Sequence, residues 1–315
     1  MNEPLRIVFA GTPAFAVPSL ETVIDSAHEL VGVVSQPDRP AGRGRRLTAP
    51  PVKEAAEAAG LTVIQPERLS GTDLEALCAG ERPDLLVVVA FGQVLPAAVL
   101  EFARHGAINV HASLLPRWRG AAPIARALLA GDEETGVSIM QMTSGLDAGP
   151  VLLQHRCPIR EEDTAATLHD RLASLGASAL RTVIDDLTAH LDRARPQDEA
   201  AVTHAAKLSR DEALVDWTAP ASEIERRVRA LQPWPVAWTR LEGDALRIWS
   251  AQAVGGGAPG DVLPGTIIGS GRAGIDVTTG GGLLRLLSVQ PPGRRPMTAG
   301  DFANAREVEG CRLGA

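Results

Sequence analysis

Two polar side chains that could do chemistry stand two residues apart where an apolar stretch ends. Residues 108–123 read INVHASLLPRWRGAAP and carry an amide at Asn109 and an imidazole at His111. Alternate residues of a strand point to one face, so these two side chains would project together. An amide donor beside a titratable base suits proton transfer and the stabilisation of developing charge. On its own, the pattern fits equally well a strand end whose polar groups only satisfy the backbone.

A carboxylate further along the chain is a candidate partner for the imidazole. Asp147 lies in the glycine-rich stretch TSGLDAGP, between two segments that alternate like strands, 135–142 and 151–159. An isolated aspartate in such a turn commonly hydrogen-bonds its own backbone. Next to an amide and an imidazole, it would instead fix the tautomer of the imidazole.

The elements that must position these side chains alternate between strands and helices. Residues 5–35 read as strand, glycine turn, helix and strand, which predicts a βαβ unit and a parallel sheet. The apolar run 84–90 is typical of a buried central strand. A long amphipathic helical region over 164–191, with Gly176 as its candidate interruption, would cover the sheet. We therefore predict an α/β, Rossmann-like, mostly parallel sheet domain over residues 1–195, with its chemistry at the carboxyl ends of the strands.

The last third of the chain follows a different pattern. Residues 196–207 have a mixed composition that predicts a linker. Residues 208–315 begin with a helix over 221–231 and continue as short strands separated by glycine and proline. This pattern predicts a smaller antiparallel domain, either an OB-like β-barrel or a sandwich.

A basic loop interrupts the α/β pattern after the second predicted strand. Residues 36–53 read QPDRPAGRGRRLTAPPVK, whereas such connections usually span about 2–6 residues. The loop carries five basic side chains and one acidic one, on a chain of net charge −7. This contrast favours an anionic partner such as RNA phosphate over a merely solvated, flexible loop. The arginines that would bind it are Arg39, Arg43, Arg45 and Arg46.

Composition limits the class of protein. A length of 315 residues and a mean hydropathy of +0.03 predict a soluble protein of two domains. We expect no membrane span, because no apolar run approaches about 18–20 residues. The N-terminus has no signal-peptide pattern, and three widely spaced cysteines favour a reducing compartment, so we predict a cytoplasmic protein without a metal site. Residues 1–204 carry 18 basic and 26 acidic side chains and residues 205–315 carry 13 and 12, so the C-terminal part is relatively basic.

These motifs resemble those of the methionyl-tRNA formyltransferases, within the folate-dependent formyltransferase family. The shared segments, which span the chain, are FAGTP, QPDRPAGRG, NVHASLLPRWRGAAPI, GVSIMQM, GLDAG, KLS and PWP. The NxHxSLLP and GLDxG motifs also fit glycinamide ribonucleotide formyltransferases, sugar-nucleotide formyltransferases and the hydrolase domain of formyltetrahydrofolate dehydrogenase. The RPAGRG loop and the predicted C-terminal barrel narrow the resemblance to the enzymes that act on tRNA.

The resemblance implies which residues form the site. The catalytic trio of the family falls on Asn109, His111 and Asp147. Its folate-binding turn falls on Ser113, Leu114, Leu115 and Pro116. Two departures, Ala112 in place of a common glycine and Phe91 in place of a frequent tyrosine, concern the fine geometry of the donor pocket. Neither departure removes a catalytic functional group.

The resemblance also implies the reaction. The donor would be 10-formyltetrahydrofolate, and the acceptor would be the α-amino group of methionyl initiator tRNA. The amine would attack the formyl carbon through a tetrahedral, negatively charged intermediate, with Asn109 as an oxyanion donor. His111 would either take the proton of the amine or, when protonated, donate to the oxyanion. We expect a monomer that needs no metal.

Two alternatives stay open from the sequence. The first is a folate-dependent formyltransferase that acts on a small amine, such as an amino sugar nucleotide. The second is a non-catalytic RNA-binding protein built on an α/β domain, which would leave the trio of Asn109, His111 and Asp147 without a purpose.

Overall fold

The computed structural model describes residues 3–42, 44, 46–255 and 262–314. Their contacts separate two units. The first unit runs to Pro123 and also includes Glu134–Pro158 and His169–Ala205. The second unit consists of Ile124–Glu133, Ile159–Leu168 and the chain from Ala206 onwards. Residues 196–205 of the expected linker therefore belong to the first unit.

Strands and helices alternate over most of the chain up to Ala205, which comprises the first unit and the second-unit segments Ile124–Glu133 and Ile159–Leu168. In chain order up to Ala205, the elements are β1 (Arg6–Gly11), α1 (Val17–Ile24), β2 (Glu29–Val34), β3 (Arg39–Ala41), β4 (Arg46–Thr48), α2 (Pro51–Ala58), β5 (Val63–Ile64), α3 (Gly71–Leu77), β6 (Leu85–Val89), α4 (Ala97–Leu100), β7 (Ala107–His111), β8 (Arg119–Gly120), α5 (Pro123–Ala130), β9 (Glu134–Gln141), β10 (Val151–Pro158), α6 (Ala165–Asp185), α7 (Leu187–Asp192) and β11 (His204–Ala205). Short 3₁₀ turns occupy Ala14–Ala16 and Glu199–Ala201.

A seven-stranded sheet runs through the first unit in the order β10-β9-β7-β6-β1-β2-β5. The neighbours from β7 to β5 are parallel, and β9 and β10 join antiparallel at the β7 side. Every residue of β6 is buried, as its continuous apolar sequence predicts. The prediction of a mostly parallel α/β sheet is confirmed. The strand order reverses between β1 and β6, and open sheets bind ligands at the carboxyl edge near such a reversal.

The helix α6 packs closely on β7, the strand that ends at His111. The sequence suggested an interruption at Gly176, but α6 is continuous through this residue and ends at Asp185. A Cβ atom at Gly176 would lie 2.8 Å from Cγ1 of Val110, a residue of β7. The glycine is therefore tolerated inside the helix because it allows the helix to approach the strand.

The second unit is built on an antiparallel sheet and a helix. Its elements from Ala206 onwards are a 3₁₀ turn (Asp211–Ala213), α8 (Ala221–Ala230), β12 (Trp238–Leu241), β13 (Asp244–Val254), β14 (Ile267–Gly271), β15 (Gly274–Thr278), β16 (Leu283–Gln290), β17 (Met297–Thr298) and α9 (Ala299–Asn304). The strand order is β12-β13-β16-β15-β14, with β17 also paired to β16. Buried side chains of α8, such as Ile224 and Val228, share a core with sheet residues such as Ile248 and Val277. The predicted antiparallel character is confirmed.

Within the described part of the chain, no helix combines the length and the apolar character that crossing a bilayer requires.

Gly176→Ala is expected to destabilise the protein and to disturb β7. The added methyl group would overlap Val110, and such overpacking costs about 1–3 kcal/mol. The gain in helix propensity, about 1 kcal/mol, offsets only part of this cost. Thermal unfolding of the variant and of the wild type would be measured. Gly71→Ala is the matched control, because its Cβ would lie 3.9 Å from the nearest atom, the oxygen of Ala98. An equal or higher melting temperature for Gly176→Ala would contradict the close approach.

Candidate active site

Asn109 and His111 lie at the carboxyl end of β7, the position that the sequence predicts. Asn109 pairs with Val88 of β6 and with Met140 of β9, in the middle of the sheet. Val110 faces Gly176 of α6, so its two neighbours project to the opposite face of the sheet. Both side chains are buried, with exposed fractions of 8% for Asn109 and 6% for His111.

Each nitrogen of the His111 imidazole faces an oxygen atom. Nε2 lies 2.9 Å from the carbonyl oxygen of Trp118, which can only accept a hydrogen bond, so Nε2 carries a hydrogen. Nδ1 lies 3.7 Å from Oδ2 of Asp147. The backbone N–H of Gly120 donates to the same carboxylate oxygen at 2.8 Å, and this bond orients the carboxylate. The structure thus brings Asp147 and His111 together, and it adds a backbone carbonyl that the sequence did not reveal.

Both partners of the imidazole belong to residues with unfavourable backbone angles. The φ angle is +47° at Asp147 and +65° at Trp118, in the left-handed region that favours glycine. A residue other than glycine held in this region costs of order 1–3 kcal/mol. Such conformations persist only where neighbouring contacts enforce them, and they cluster at functional sites. The position of the imidazole therefore depends on whatever holds these two loops.

The side-chain amide of Asn109 is a hydrogen-bond donor near the end of β7. Asn109 is 8% exposed, and an amide carries two N–H donors. An amide at the strand end beside His111 can donate to an oxygen of a bound molecule.

Two polar side chains, those of Ser138 and Gln154, form hydrogen bonds with the backbone of the turn from Ser113 to Pro116. The hydroxyl of Ser138 accepts from the N–H of Leu115 at 3.0 Å and donates to the carbonyl of Ser113 at 2.7 Å. Gln154 donates to the carbonyl of Leu115 and to Ser138, both at 2.9 Å. These bonds occupy much of the backbone of the turn. What it can offer a ligand is chiefly apolar surface, including the half-buried side chain of Leu114.

Two short strands of the basic loop, β3 and β4, pair in an antiparallel hairpin. Arg39 pairs with Thr48 across β3 and β4, and the exposed Arg46 pairs with Ala41. Arg43 and Arg45 lie outside the described residues. No hydrogen bond or ion pair joins Arg39 or Arg46 to the predicted catalytic trio in the described ranges.

Asp38, just before β3, accepts hydrogen bonds from side chains outside the hairpin. Gln65 donates to Oδ1 of Asp38 at 2.7 Å, and the ammonium of Lys53 contacts both carboxylate oxygens at 3.0 and 2.9 Å. These hydrogen bonds, that of Gln65 first, hold the pKa of Asp38 below its ordinary value. The carboxylate therefore stays charged and fixes the base of the hairpin.

Three further residues that the sequence did not single out hold the loops around His111. Thr203 accepts from the N–H of Trp118 with its hydroxyl at 2.9 Å, and its carbonyl accepts from the N–H of Arg119. Nε of the buried Arg119 guanidinium donates a hydrogen bond to the side-chain oxygen of Gln197 at 3.0 Å. Thr203 and Gln197 lie in the segment expected to be a linker, whose composition gives no sign of such contacts. Among the described residues, no group of three His, Cys, Asp or Glu side chains could hold a metal ion.

Two curated proteins resemble this chain over nearly its whole length. The chain is 50% identical over its full length to "Methionyl-tRNA formyltransferase" of Hydrogenovibrio crunogenus, with full coverage of both chains. It is 54% identical to the protein of that name from Acidithiobacillus ferrooxidans, covering 96% of each chain.

Solved structures share the fold at low identity. An N-formyltransferase from Helicobacter canadensis, in complex with folinic acid and dTDP-3-aminofucose, has a TM-score of 0.66 at 15% identity and covers 91% of this chain and 99% of that one. HypX from Aquifex aeolicus, in complex with tetrahydrofolic acid, has a TM-score of 0.67 at 14% identity. The match covers 98% of this chain but 48% of HypX, so this chain spans about half the length of HypX.

Two family matches account for most of the sequence. Residues 5–184 match the family described as "Formyl transferase", and residues 207–307 match "Formyl transferase, C-terminal domain". The first match contains the sheet and all residues of the predicted catalytic trio. With two full-length relatives at 50% and 54% identity, the chain belongs to the formyl transferase family.

Proposed function

We propose that this chain transfers the formyl group of 10-formyltetrahydrofolate to the α-amino group of methionyl initiator tRNA, giving N-formylmethionyl-tRNA for the start of translation. The observation that carries this proposal is the position of Asn109 and His111 two residues apart on β7, with the Asp147 carboxylate 3.7 Å from the imidazole, in a member of the formyl transferase family. The names of the full-length relatives support the choice of methionyl-tRNA as acceptor.

In this proposal Asn109 stabilises the charge that develops on the formyl oxygen. Attack by the amine turns the formyl carbon tetrahedral and places negative charge on its oxygen. Asn109 is buried beside His111 on β7, and the N–H groups of its amide can donate to that oxygen. An α-amine titrates near pH 8, so a useful fraction is already neutral and nucleophilic at neutral pH.

His111 and Asp147 handle the proton in this proposal. The amine loses a proton as its bond to the formyl carbon forms. Nδ1 of the imidazole can accept this proton, because Nε2 already carries the hydrogen that it donates to the Trp118 carbonyl. The carboxylate of Asp147, 3.7 Å from Nδ1, stabilises the positive charge that the ring then carries. Collapse of the intermediate breaks the bond from the formyl carbon to N10 of the donor, and N10 takes up the proton as tetrahydrofolate leaves. When Nδ1 is protonated beforehand, its N–H can donate to the formyl oxygen instead, and the two roles predict different pH profiles for kcat.

The donor would bind against the turn of Ser113, Leu114, Leu115 and Pro116. Folate carries a flat pteridine ring, and rigid apolar surface suits such a ring. The bonds from Ser138 and Gln154 keep this turn in one conformation without a ligand. Binding therefore loses little free energy to ordering the turn.

The tRNA would be held by basic residues of both units. We assign Arg39, Arg43, Arg45 and Arg46 to the acceptor end of the tRNA, with Arg43 as the best candidate for a contact to a base. The relatively basic residues from 205 onwards would bind phosphates of the stem. We also expect the protein to act as a monomer in the cytoplasm.

The most informative experiment is a formyl-transfer assay with 10-formyltetrahydrofolate and three acceptors. These are methionyl initiator tRNA, methionyl elongator tRNA and free methionine. Strong preference for the initiator tRNA supports the proposal. Transfer to an amino sugar nucleotide without tRNA would instead support the small-amine alternative, and no transfer to any acceptor would leave an RNA-binding role.

Asn109→Ala and Asp147→Ala are expected to fold normally and to bind tRNA while losing turnover. Removal of one oxyanion donor costs about 2.7–4 kcal/mol, so kcat for Asn109→Ala should fall by about 10²–10³. Loss of support for a catalytic base should lower kcat of Asp147→Ala by a comparable factor, about 10²–10⁴. Single-turnover rates and tRNA affinity would be measured for both variants. Turnover at the wild-type rate in either variant would refute the role of that residue.

Arg43→Ala is expected to lower kcat/KM for the tRNA with little change in its dependence on salt. A contact to a base is worth about 1–3 kcal/mol, whereas loss of a phosphate contact would reduce the salt slope by about one. Formylation would be measured at two salt concentrations. Arg181→Ala is the matched control, because this exposed arginine pairs with Asp185 on α6 and carries the same charge. An unchanged kcat/KM for Arg43→Ala would exclude the assigned contact.

A further inference from the structure

The segment that leaves the first unit lies along both loops that hold the imidazole. Arg195 exchanges two backbone hydrogen bonds with Val151, at 2.8 and 2.9 Å. Further on, β11 pairs with β8, so that Ala205 lies beside Gly120. A Cβ atom at Gly120 would lie 2.8 Å from the carbonyl oxygen of Ala205, which makes this contact a close one. We call residues 195–205 the strap.

The side chain of Gln197, in the strap, uses all of its hydrogen-bonding groups on the site. Its Nε2 donates to the backbone carbonyls of Asp147 and Gly149, both at 2.8 Å. Its Oε1 accepts from Nε of Arg119 at 3.0 Å. A guanidinium can only donate, so the orientation of the amide is fixed by chemistry. Both N–H groups therefore face the loop that carries Asp147.

Arg119 links this amide to the opposite loop. Its side chain is 6% exposed, and it donates to the two carboxylate oxygens of Glu199 at 3.2 and 2.8 Å. Arg119 precedes Gly120, whose N–H orients the carboxylate of Asp147. One arginine thus joins the amide of Gln197 to the strand that fixes the Asp147 side chain.

The loop that carries Asp147, residues 143–150, requires contacts that enforce its conformation. Asp147 has a φ angle of +47°, which disfavours its conformation in the absence of enforcing contacts. A Cβ atom at Gly149 would lie 1.8 Å from the carbonyl oxygen of Gln141, so the loop is pressed against β9 at one end. The carbonyl of Asp147 itself accepts a hydrogen bond from the amide of Gln197 at 2.8 Å. Rotation of this peptide would move the carboxylate away from His111.

We propose that Gln197 is a positioning residue for formyl transfer: held by Arg119, its amide clamps the Asp147 loop so that the carboxylate stays beside the His111 imidazole. This inference rests on the proposed function, in which Asp147 supports His111. Gln197 does not touch the reacting atoms in this scheme. It acts on the chemical step through Asp147, so its loss should affect kcat rather than substrate binding.

The test compares Gln197→Ala and Gln197→Glu in the full-length protein, each with and without Asp147→Ala. Gln197→Glu keeps the size of the side chain and the acceptor for Arg119, but it places a carboxylate against two carbonyl oxygens. Misplacement of a catalytic group by about 1 Å can cost about 10²-fold in rate. We therefore expect kcat to fall about 10- to 100-fold in both single variants, with each KM within about twofold. In the Asp147→Ala background, the same changes should have little further effect on kcat.

Gln93→Ala is the matched control for general loosening of the fold. The Gln93 side chain also donates to two backbone carbonyls, those of Pro66 and Glu67, and accepts from the N–H of Leu69. It should lower the melting temperature about as much as Gln197→Ala while leaving kcat near the wild-type value. If Gln197→Ala fails to fold, the test rests on kcat of the isosteric variant Gln197→Glu.

If the wild-type enzyme is active, two results would overturn this inference and leave the proposed function unaffected. One is a wild-type kcat for Gln197→Glu, and the other is an equal loss of kcat with and without Asp147→Ala, which indicates a role independent of Asp147. A wild-type protein that formylates no methionyl-tRNA would overturn the proposed function, and this inference with it.

Discussion

The position of one imidazole ring, that of His111, is the constraint on which the candidate site depends. Its two nitrogens face the carbonyl of Trp118 and the carboxylate of Asp147, which come from separate loops. Both of these residues have left-handed backbone angles that a residue other than glycine rarely adopts. The geometry of the ring is therefore not a local property of β7. It is the sum of contacts that force two unfavourable loops into place.

The sheet supplies the rigid side of this arrangement. Asn109 and His111 stand on a central strand whose other face is covered by α6, and Gly176 lets that helix come within contact distance of Val110. Ser138 and Gln154, on the neighbouring strands β9 and β10, fix the turn that follows. Strand residues thus place the amide, the imidazole and the apolar turn, while loops place the partners of the imidazole. In the proposed reaction, this division suits a site that holds a flat donor and aligns a base with an amine.

Local patterns in the sequence predicted part of this structure. The spacing of Asn109 and His111 and the apolar run of β6 are periodic signals, and the structure bears out the strands that they indicate. The hold on the Asp147 loop was not predictable, because Gln197 lies 50 residues from Asp147 and meets it only through backbone carbonyls. The role of the Trp118 carbonyl was hidden for a similar reason, since every residue has a carbonyl. Gly176 was misread because a glycine in a helical pattern signals a break unless the neighbouring strand is known.

The strap also bears on how such a chain can be divided. A domain border drawn from composition falls at residue 195, yet the ten residues that follow carry Gln197, Thr203 and the strand that pairs with β8. A catalytic fragment cut at that border would keep every residue of the trio and lose the contacts that arrange them. Recombination between relatives would meet the same limit, because an exchange of C-terminal parts preserves the site only if the crossover comes after Ala205. The covalent connection between the two parts of the chain is, over these residues, a piece of the candidate site.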